Sequence, residues 1–169
     1  MIRRHFVPML SLAFIALSLS ACGFHLRGEA QLPAGLDRVY VESSDPSGPL
    51  KKNVEHALER SGAKVERAAG DGVAEVKLMG ISLAPIVRSV GANARVNEFT
   101  MLYHLELQIN DAAGKVVMPK QVIERSRVFT FDQTQAIGTG AEQDEIKKEM
   151  ERDMAQVVMR HVEAAKGKG

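Results

Sequence analysis

Two arginine pairs and one thiol carry most of the chemistry in this 169-residue sequence. Arg88 and Arg95 bracket a glycine-containing stretch, 89–94, that reads as the tip of a hairpin. Guanidinium groups so placed hold phosphates through paired charge-assisted hydrogen bonds, and they also fit as two solvated arginines at a loop tip. Arg125 and Arg127 share one strand face with Phe129 and Phe131. Bases mixed with aromatics suit an amphipathic ligand, or long side chains that snorkel at an ordinary sheet edge. His56, His104 and His161 stand singly, without metal-ligand spacing, and read as surface or packing residues. Gly138-Thr139-Gly140 has no following lysine, so it reads as a loop and not as a phosphate cradle. No nucleophile elbow, zinc-protease helix or P-loop pattern occurs, and no acid–base set stands out. The expectation is therefore a protein that is not an enzyme and needs no cofactor or metal. Cys22 is the single cysteine and cannot form an internal disulfide. In an exported protein its free thiol is a liability, unless it is chemically consumed.

The residues ahead of Cys22 say how that happens. Arg3, Arg4 and His5 make a positive start, and 6–19 is an apolar stretch too short for a comfortable membrane span. Ser20 and Ala21 are small, and Leu19-Ser20-Ala21-Cys22 resembles the lipobox of bacterial lipoproteins. Residues 1–21 are then a cleaved leader, and Cys22 becomes a lipidated first residue, with a diacylglycerol thioether and an N-acyl chain. Each buried methylene contributes about 0.8 kcal/mol, so several acyl chains hold a protein firmly to a bilayer. Gly23 follows, where an aspartate keeps many lipoproteins in the inner membrane, so the pattern resembles sorting to the outer membrane. His25 and Arg27 lie close to that anchor, in a tether of 22–36 that would hold them near head groups or against a partner.

The elements that position these residues follow from periodicity. Hydrophobic content of 45% and charged content of 25% describe one globular domain, expected over 37–166. The net charge is +1, and loss of Arg3 and Arg4 brings it to about −1, so there is no broad field for nucleic acid. A short strand is expected at Arg38–Glu42, then a helix with Ser47 as N-cap and Pro49 in its first turn, ended by Gly62. Lys64–Arg67 reads as a second short strand. Ala74, Val76 and Leu78 alternate with charges until the phase slips at Met79-Gly80, which suggests a β-bulge. Phe99, Met101, Tyr103, Leu105, Leu107 and Ile109 then line one face of a long strand. Asp111–Lys115 forms a hairpin turn, and a last strand runs near Gln121–Phe131. After the break at 138–140, Ile146, Met150, Met154, Val157, Val158 and Val162 form one apolar helical stripe, with acids Glu142, Asp144 and Glu145 at its start. Residues 167–169 read as a frayed tail. The fold class is α+β: a two-layer sandwich with one mostly antiparallel, mixed sheet and two helices on one face.

Four stretches, in order along the chain, resemble the LptE family of lipopolysaccharide-assembly lipoproteins: Cys22-Gly23-Phe24-His25-Leu26-Arg27-Gly28; Asp45-Pro46-Ser47-Gly48-Pro49-Leu50; Asn97-Glu98-Phe99-Thr100-Met101; and Arg127-Val128-Phe129 through Asp132, with Glu142-Gln143-Asp144 and Lys148-Glu149-Met150 beyond. The resemblance implies a lipid-anchored protein on the periplasmic side of the outer membrane, complexed with the LptD β-barrel as a plug and assembly subunit, which binds lipopolysaccharide for insertion into the outer leaflet. For such a ligand Arg88, Arg95, Arg125 and Arg127, singled out above by their own chemistry, are the candidate contacts to lipid A phosphates, although the hairpin bases are displaced from the family's and Ala92 stands where one is expected. The family carries bases in the loop before the last helix, whereas 132–141 holds none here. The alternative is a lipoprotein that scaffolds other envelope proteins without touching lipopolysaccharide.

Overall fold

The computed structural model describes residues 32–33, 35–90, 96–130 and 136–165, with the backbone alone at 88–90, 96–98, 130 and 136–139. Five strands form one sheet: β1 (Arg38–Ser43), β2 (Lys64–Glu66), β3 (Ala74–Val90), β4 (Val96–Asn110) and β5 (Val116–Thr130). Helix α1 (Pro49–Arg60) lies between β1 and β2, and α2 (Ala136–Ala164) follows β5. The spatial order is β2-β1-β3-β4-β5. β1 runs parallel to β2 and β3, while β3–β4 and β4–β5 are antiparallel. The result is the expected mixed sheet with two helices.

Period two decides which face is covered. Met101, Tyr103, Leu105, Leu107 and Ile109 of β4 are all 2% exposed or less, and they share a core with Leu50, Val54 and Leu58 of α1 and Met150, Met154, Val158 and Val162 of α2. Burying a side chain of that size contributes about 1.5–3 kcal/mol, so the two helical stripes fix both helices to this face.

The local expectations fare unevenly. Gly62 ends α1 in a left-handed conformation, φ 91°. The bulge is where the phase slip puts it: the β3–β4 register shifts between Met79 and Ser82, and Gly80 adopts φ 57°. Asp111 Oδ1 closes the β4–β5 turn by accepting from the N–H groups of Ala113 and Lys115, both at 2.9 Å. Three expectations need correction. The N-cap of α1 is Gly48, with no side-chain cap; the chain turns earlier, where Gly48 N–H donates to the Asp45 carbonyl at 3.1 Å. β5 starts at Val116, because Pro119 falls in a register shift where it and Lys120 stand opposite Gln108, so the ladder asks no donor of the proline. Finally, Gly138-Thr139-Gly140 is helical. α2 starts at Ala136, which moves Glu142, Asp144 and Glu145 out of its first turn. Each glycine costs a helix about 1 kcal/mol, a penalty that the long buried stripe downstream outweighs.

Candidate functional site: a cleft between β5 and α2

β5 is an edge strand, and its helix-facing side borders α2 across a cleft. Register fixes which residues stand there. Ile123 pairs with Leu105, Arg125 with Tyr103, Arg127 with Met101 and Phe129 with Phe99. Cross-strand partners share a face, so both arginines project on the same side as the core and not toward the sheet's open side. Phe129 continues the row and stacks on Phe99, with ring centroids 5.4 Å apart. On α2, Glu149, Arg152, Asp153, Gln156 and Arg160 recur at helical spacing along one edge of the apolar stripe. Strand and helix together enclose a cleft of about 740 Å³, into which four arginines (Arg125, Arg127, Arg152 and Arg160) and two carboxylates (Glu149 and Asp153) converge. Met150 and Val157, 4% and 5% exposed, form its apolar floor.

The charges in this cleft are not all neutralised. Arg127 is paired with Glu149, and Arg152 donates to Glu145 at 3.2 Å. Arg125 and Arg160 make no ion pair among the described residues. Their combined field reaches His161: burial, then Arg160, then Arg125, holds the imidazole below the usual histidine range. A second cleft of about 540 Å³ between α1 and α2 is lined by Asn53, His56, Glu59, Arg60, Arg152 and Gln156. Arg152 and Gln156 line both clefts, so the polar edge of α2 is accessible from two sides.

Of the candidate contacts named from sequence, the structure brings Arg125 and Arg127 together. Arg88 belongs to β3, where the register shifts between Val87 and Ser89, and its side chain is outside the described residues, as are Arg95 and Cys22 entirely. His25, Arg27, Phe131 and the tail 167–169 also lie outside them. Sequence reasoning singled out neither Arg152 nor Arg160. The signal was present, an arginine eight residues from another on the flank of an apolar stripe, but only the strand order shows that this flank faces β5.

The histidines are dispersed. His56 lies 3.4 Å from Glu59 and His104 3.2 Å from Glu124. Among the described residues no group of His, Cys, Asp and Glu is arranged to hold a metal ion. Asp45, Tyr103 and Glu151 meet at a small cavity of about 160 Å³. Burial and the facing Asp45 push the Glu151 carboxyl up, and burial pushes the Tyr103 hydroxyl up. No helix among the described residues is long and apolar enough to cross a membrane.

Known proteins share this architecture. A family model described as LptE, lipopolysaccharide-assembly, matches residues 36–162. The chain is 32% identical over 158 residues to the LPS-assembly lipoprotein LptE of Pectobacterium atrosepticum, covering 93% of this chain and 85% of that protein. To the LPS-assembly lipoprotein LptE of Photorhabdus laumondii it is 29% identical, covering 94% and 86%. Among solved structures, lipoprotein B from Nitrosomonas europaea superposes with a TM-score of 0.70 at 28% identity, covering 84% of this chain and 91% of that one. The rare lipoprotein B from Shewanella oneidensis matches the fold with a TM-score of 0.65 at 23% identity, over 75% and 94%.

Proposed function

Because this chain belongs to the LptE family of lipopolysaccharide-assembly lipoproteins, we propose that it is an outer-membrane subunit that binds lipopolysaccharide and plugs the LptD β-barrel that inserts it. Its anchor is Cys22, acylated after removal of 1–21, and 22–36 tethers the domain of 37–166 to the periplasmic side of the bilayer. One observation carries the ligand half of this reading: a cleft between β5 and α2 gathers four arginines, two of them, Arg125 and Arg160, without an ion pair among the described residues. A phosphorylated amphiphile suits such a surface, because arginine binds phosphate through two parallel charge-assisted hydrogen bonds. Arg125 and Arg127 supply contacts from the strand, and Arg88 and Arg95 are the further candidates named from sequence. Binding there competes with divalent cations for lipid A phosphates and keeps the amphiphile dispersed.

The barrel half is supported by the sheet's open face. Ile86, Val122 and Val128 are 49–59% exposed there, large apolar groups of the kind a partner covers. The test is affinity purification of the tagged protein from native outer membranes in mild detergent, with mass analysis of its partner and of its N-terminal peptide. An LptD barrel in stoichiometric amount and a triacylated Cys22 are expected. A free monomer with no barrel, or an unmodified thiol, would overturn the reading.

A further inference from the structure

We infer that the free edge of β5 accepts an added strand: an extended segment of a partner protein in which acidic and apolar residues alternate. Its acids face the β5–α2 side and its apolar residues lie on the sheet's open face. The site needs neither the anchor nor the ligand proposed above.

The two edges of the sheet are built differently. β2 ends it with 3 residues, too short a strand to hold another firmly. β5 ends it with 15, and among the described residues no strand lies beyond it. The bulge at Pro119 disrupts its start, but from Gln121 to Thr130 its pairing with β4 runs without a register shift. All side chains from Gln121 to Val128 except Ile123 are exposed, so no described element covers this edge. Every second residue of such a ladder turns its N–H and C=O away from its partner, which leaves a row of backbone donors and acceptors for an incoming strand.

The side chains of β5 choose the occupant. Arg125 and Arg127 stand on the helix side, and Val122 and Val128, 59% and 50% exposed, on the open side. An added strand brings its own side chains to about 4.5–5.5 Å from these. Acids on the helix side meet Arg125, which has no ion pair among the described residues, while apolar residues on the open side widen the patch begun by Val122 and Val128. A basic strand is repelled on the first face, and Glu124 repels further acids on the second. A second copy of this chain fits badly. Antiparallel pairing of β5 with itself about Ser126 sets Arg125 opposite Arg127, and like charges directly opposite are destabilising. The arginines thus discourage self-association along a long open edge and admit an acidic partner.

The experiment uses the full mature chain in detergent micelles, with amide hydrogen exchange followed by NMR, and synthetic peptides with blocked ends. Four Val-Glu repeats make the matching probe, and four Val-Lys repeats the charge-reversed control. Two further Val-Glu peptides are N-methylated, one at every valine and one at every glutamate. The N–H groups of these two sets point to opposite edges of an extended strand, so only one set faces β5. The Val-Glu peptide is expected to bind, to slow exchange at alternate residues within 121–130, and to leave Lys64–Glu66 unchanged. The Val-Lys peptide should not bind, and one N-methylated peptide should bind while the other does not. Because a charge-assisted hydrogen bond is worth more than a neutral one, Arg125→Gln should weaken Val-Glu binding by about tenfold. Its side chain is exposed, so the variant should keep the parent's circular dichroism spectrum. No binding of the Val-Glu peptide, or equal affinity for the Val-Glu and Val-Lys peptides, overturns the proposal. So does equal affinity for the two N-methylated peptides, or binding without slowed exchange in 121–130, because the acids then sit on the arginines without strand pairing. Unchanged affinity in Arg125→Gln overturns it too. The proposed function survives every one of these outcomes, since neither the acylated cysteine nor lipopolysaccharide enters the measurement.

Discussion

Single residues show where this fold stores unfavourable charge. Glu151 of α2 faces Asp45 from the α1 entry turn across a small cavity that also contains Tyr103. Burial first, and Asp45 second, raise its carboxyl above the ordinary value of 4.5, against the opposing pull of Lys147. The unfolded chain loses this proton near pH 4.5 and the folded chain loses it later. Between the two, the native state binds more protons, so stability falls as pH rises through that window and remains lower above it. Glu151→Gln removes the penalty. The variant should match the parent in a thermal melt at pH 4 and exceed it at pH 7, by less than about 1 kcal/mol because solvent screens a partly exposed group. A variant less stable at pH 7 would mean that Lys147 outweighs Asp45. His161 works in the opposite direction: its lowered pKa removes stability as pH falls below the usual histidine range. The candidate site was half legible at this scale. Period two placed Arg125 and Arg127 on one face with Phe129, and that part survives. Arg152 and Arg160 were not legible as their partners, because a helix's polar flank does not say which strand it will face.

At the scale of elements, α2 departs most from its expected form. Gly138-Thr139-Gly140 has the composition of a loop, yet the helix spans 29 residues from Ala136. Local propensity gave way to cooperativity: once 146–162 is held by its buried stripe, each further upstream residue adds a hydrogen bond without a new nucleus. A Cβ added at Gly140 would meet nothing within 4 Å. Gly140→Ala should therefore stabilise the protein by about 0.5–1 kcal/mol and raise helical ellipticity, since alanine in an exposed helix interior avoids glycine's backbone entropy. Loss of stability in a chemical denaturation series would show that this turn is not helical in solution. The same contest explains β5. The strand was expected only near Gln121–Phe131, but tertiary pairing with β4 recruits 116–120 by bulging. Elements with long periodic runs, β4 and 146–162, were legible from sequence because one face of each is buried throughout. The starts of α2 at 138–140 and of β5 around Pro119 were not, because packing elsewhere decides them.

The whole molecule has two unlike surfaces, and the difference bears on what it docks against. On the sheet's open face, one end of the long hairpin is tied by polar contacts: Lys77 reaches Glu42 at 2.9 Å and Glu75 at 3.1 Å, Asn110 donates to Glu75 at 3.0 Å, and Gln108 donates to Asn110 at 3.0 Å. Midway, His104 meets Glu124 and Lys120 meets Glu106. Further along, the row Ile86, Thr100 and Val128 has no charge, and the Thr100 hydroxyl is buried without a hydrogen-bond partner among the described residues. The gradient means that a partner covering the apolar end desolvates little that is charged, while one covering the polar end must break ion pairs. Docking should therefore favour the apolar end, which leaves the arginine cleft on the opposite, helix-bearing side open to ligand. Val128→Glu, with Val122→Glu as a second point, separates partner binding from folding. An isolated surface change shifts stability by within about 0.5 kcal/mol, and a strand position can add up to about 1. A charge beneath a desolvated partner costs several times more. Each variant should melt within a few degrees of the parent, and Val128→Glu should lose the barrel from detergent extracts of outer membranes. Lys52→Glu, on the exposed face of α1, should retain it. Should Val128→Glu retain the barrel as well, the open face is not the contact surface, and a partner seated on the helix-bearing side would compete with any ligand in the arginine cleft.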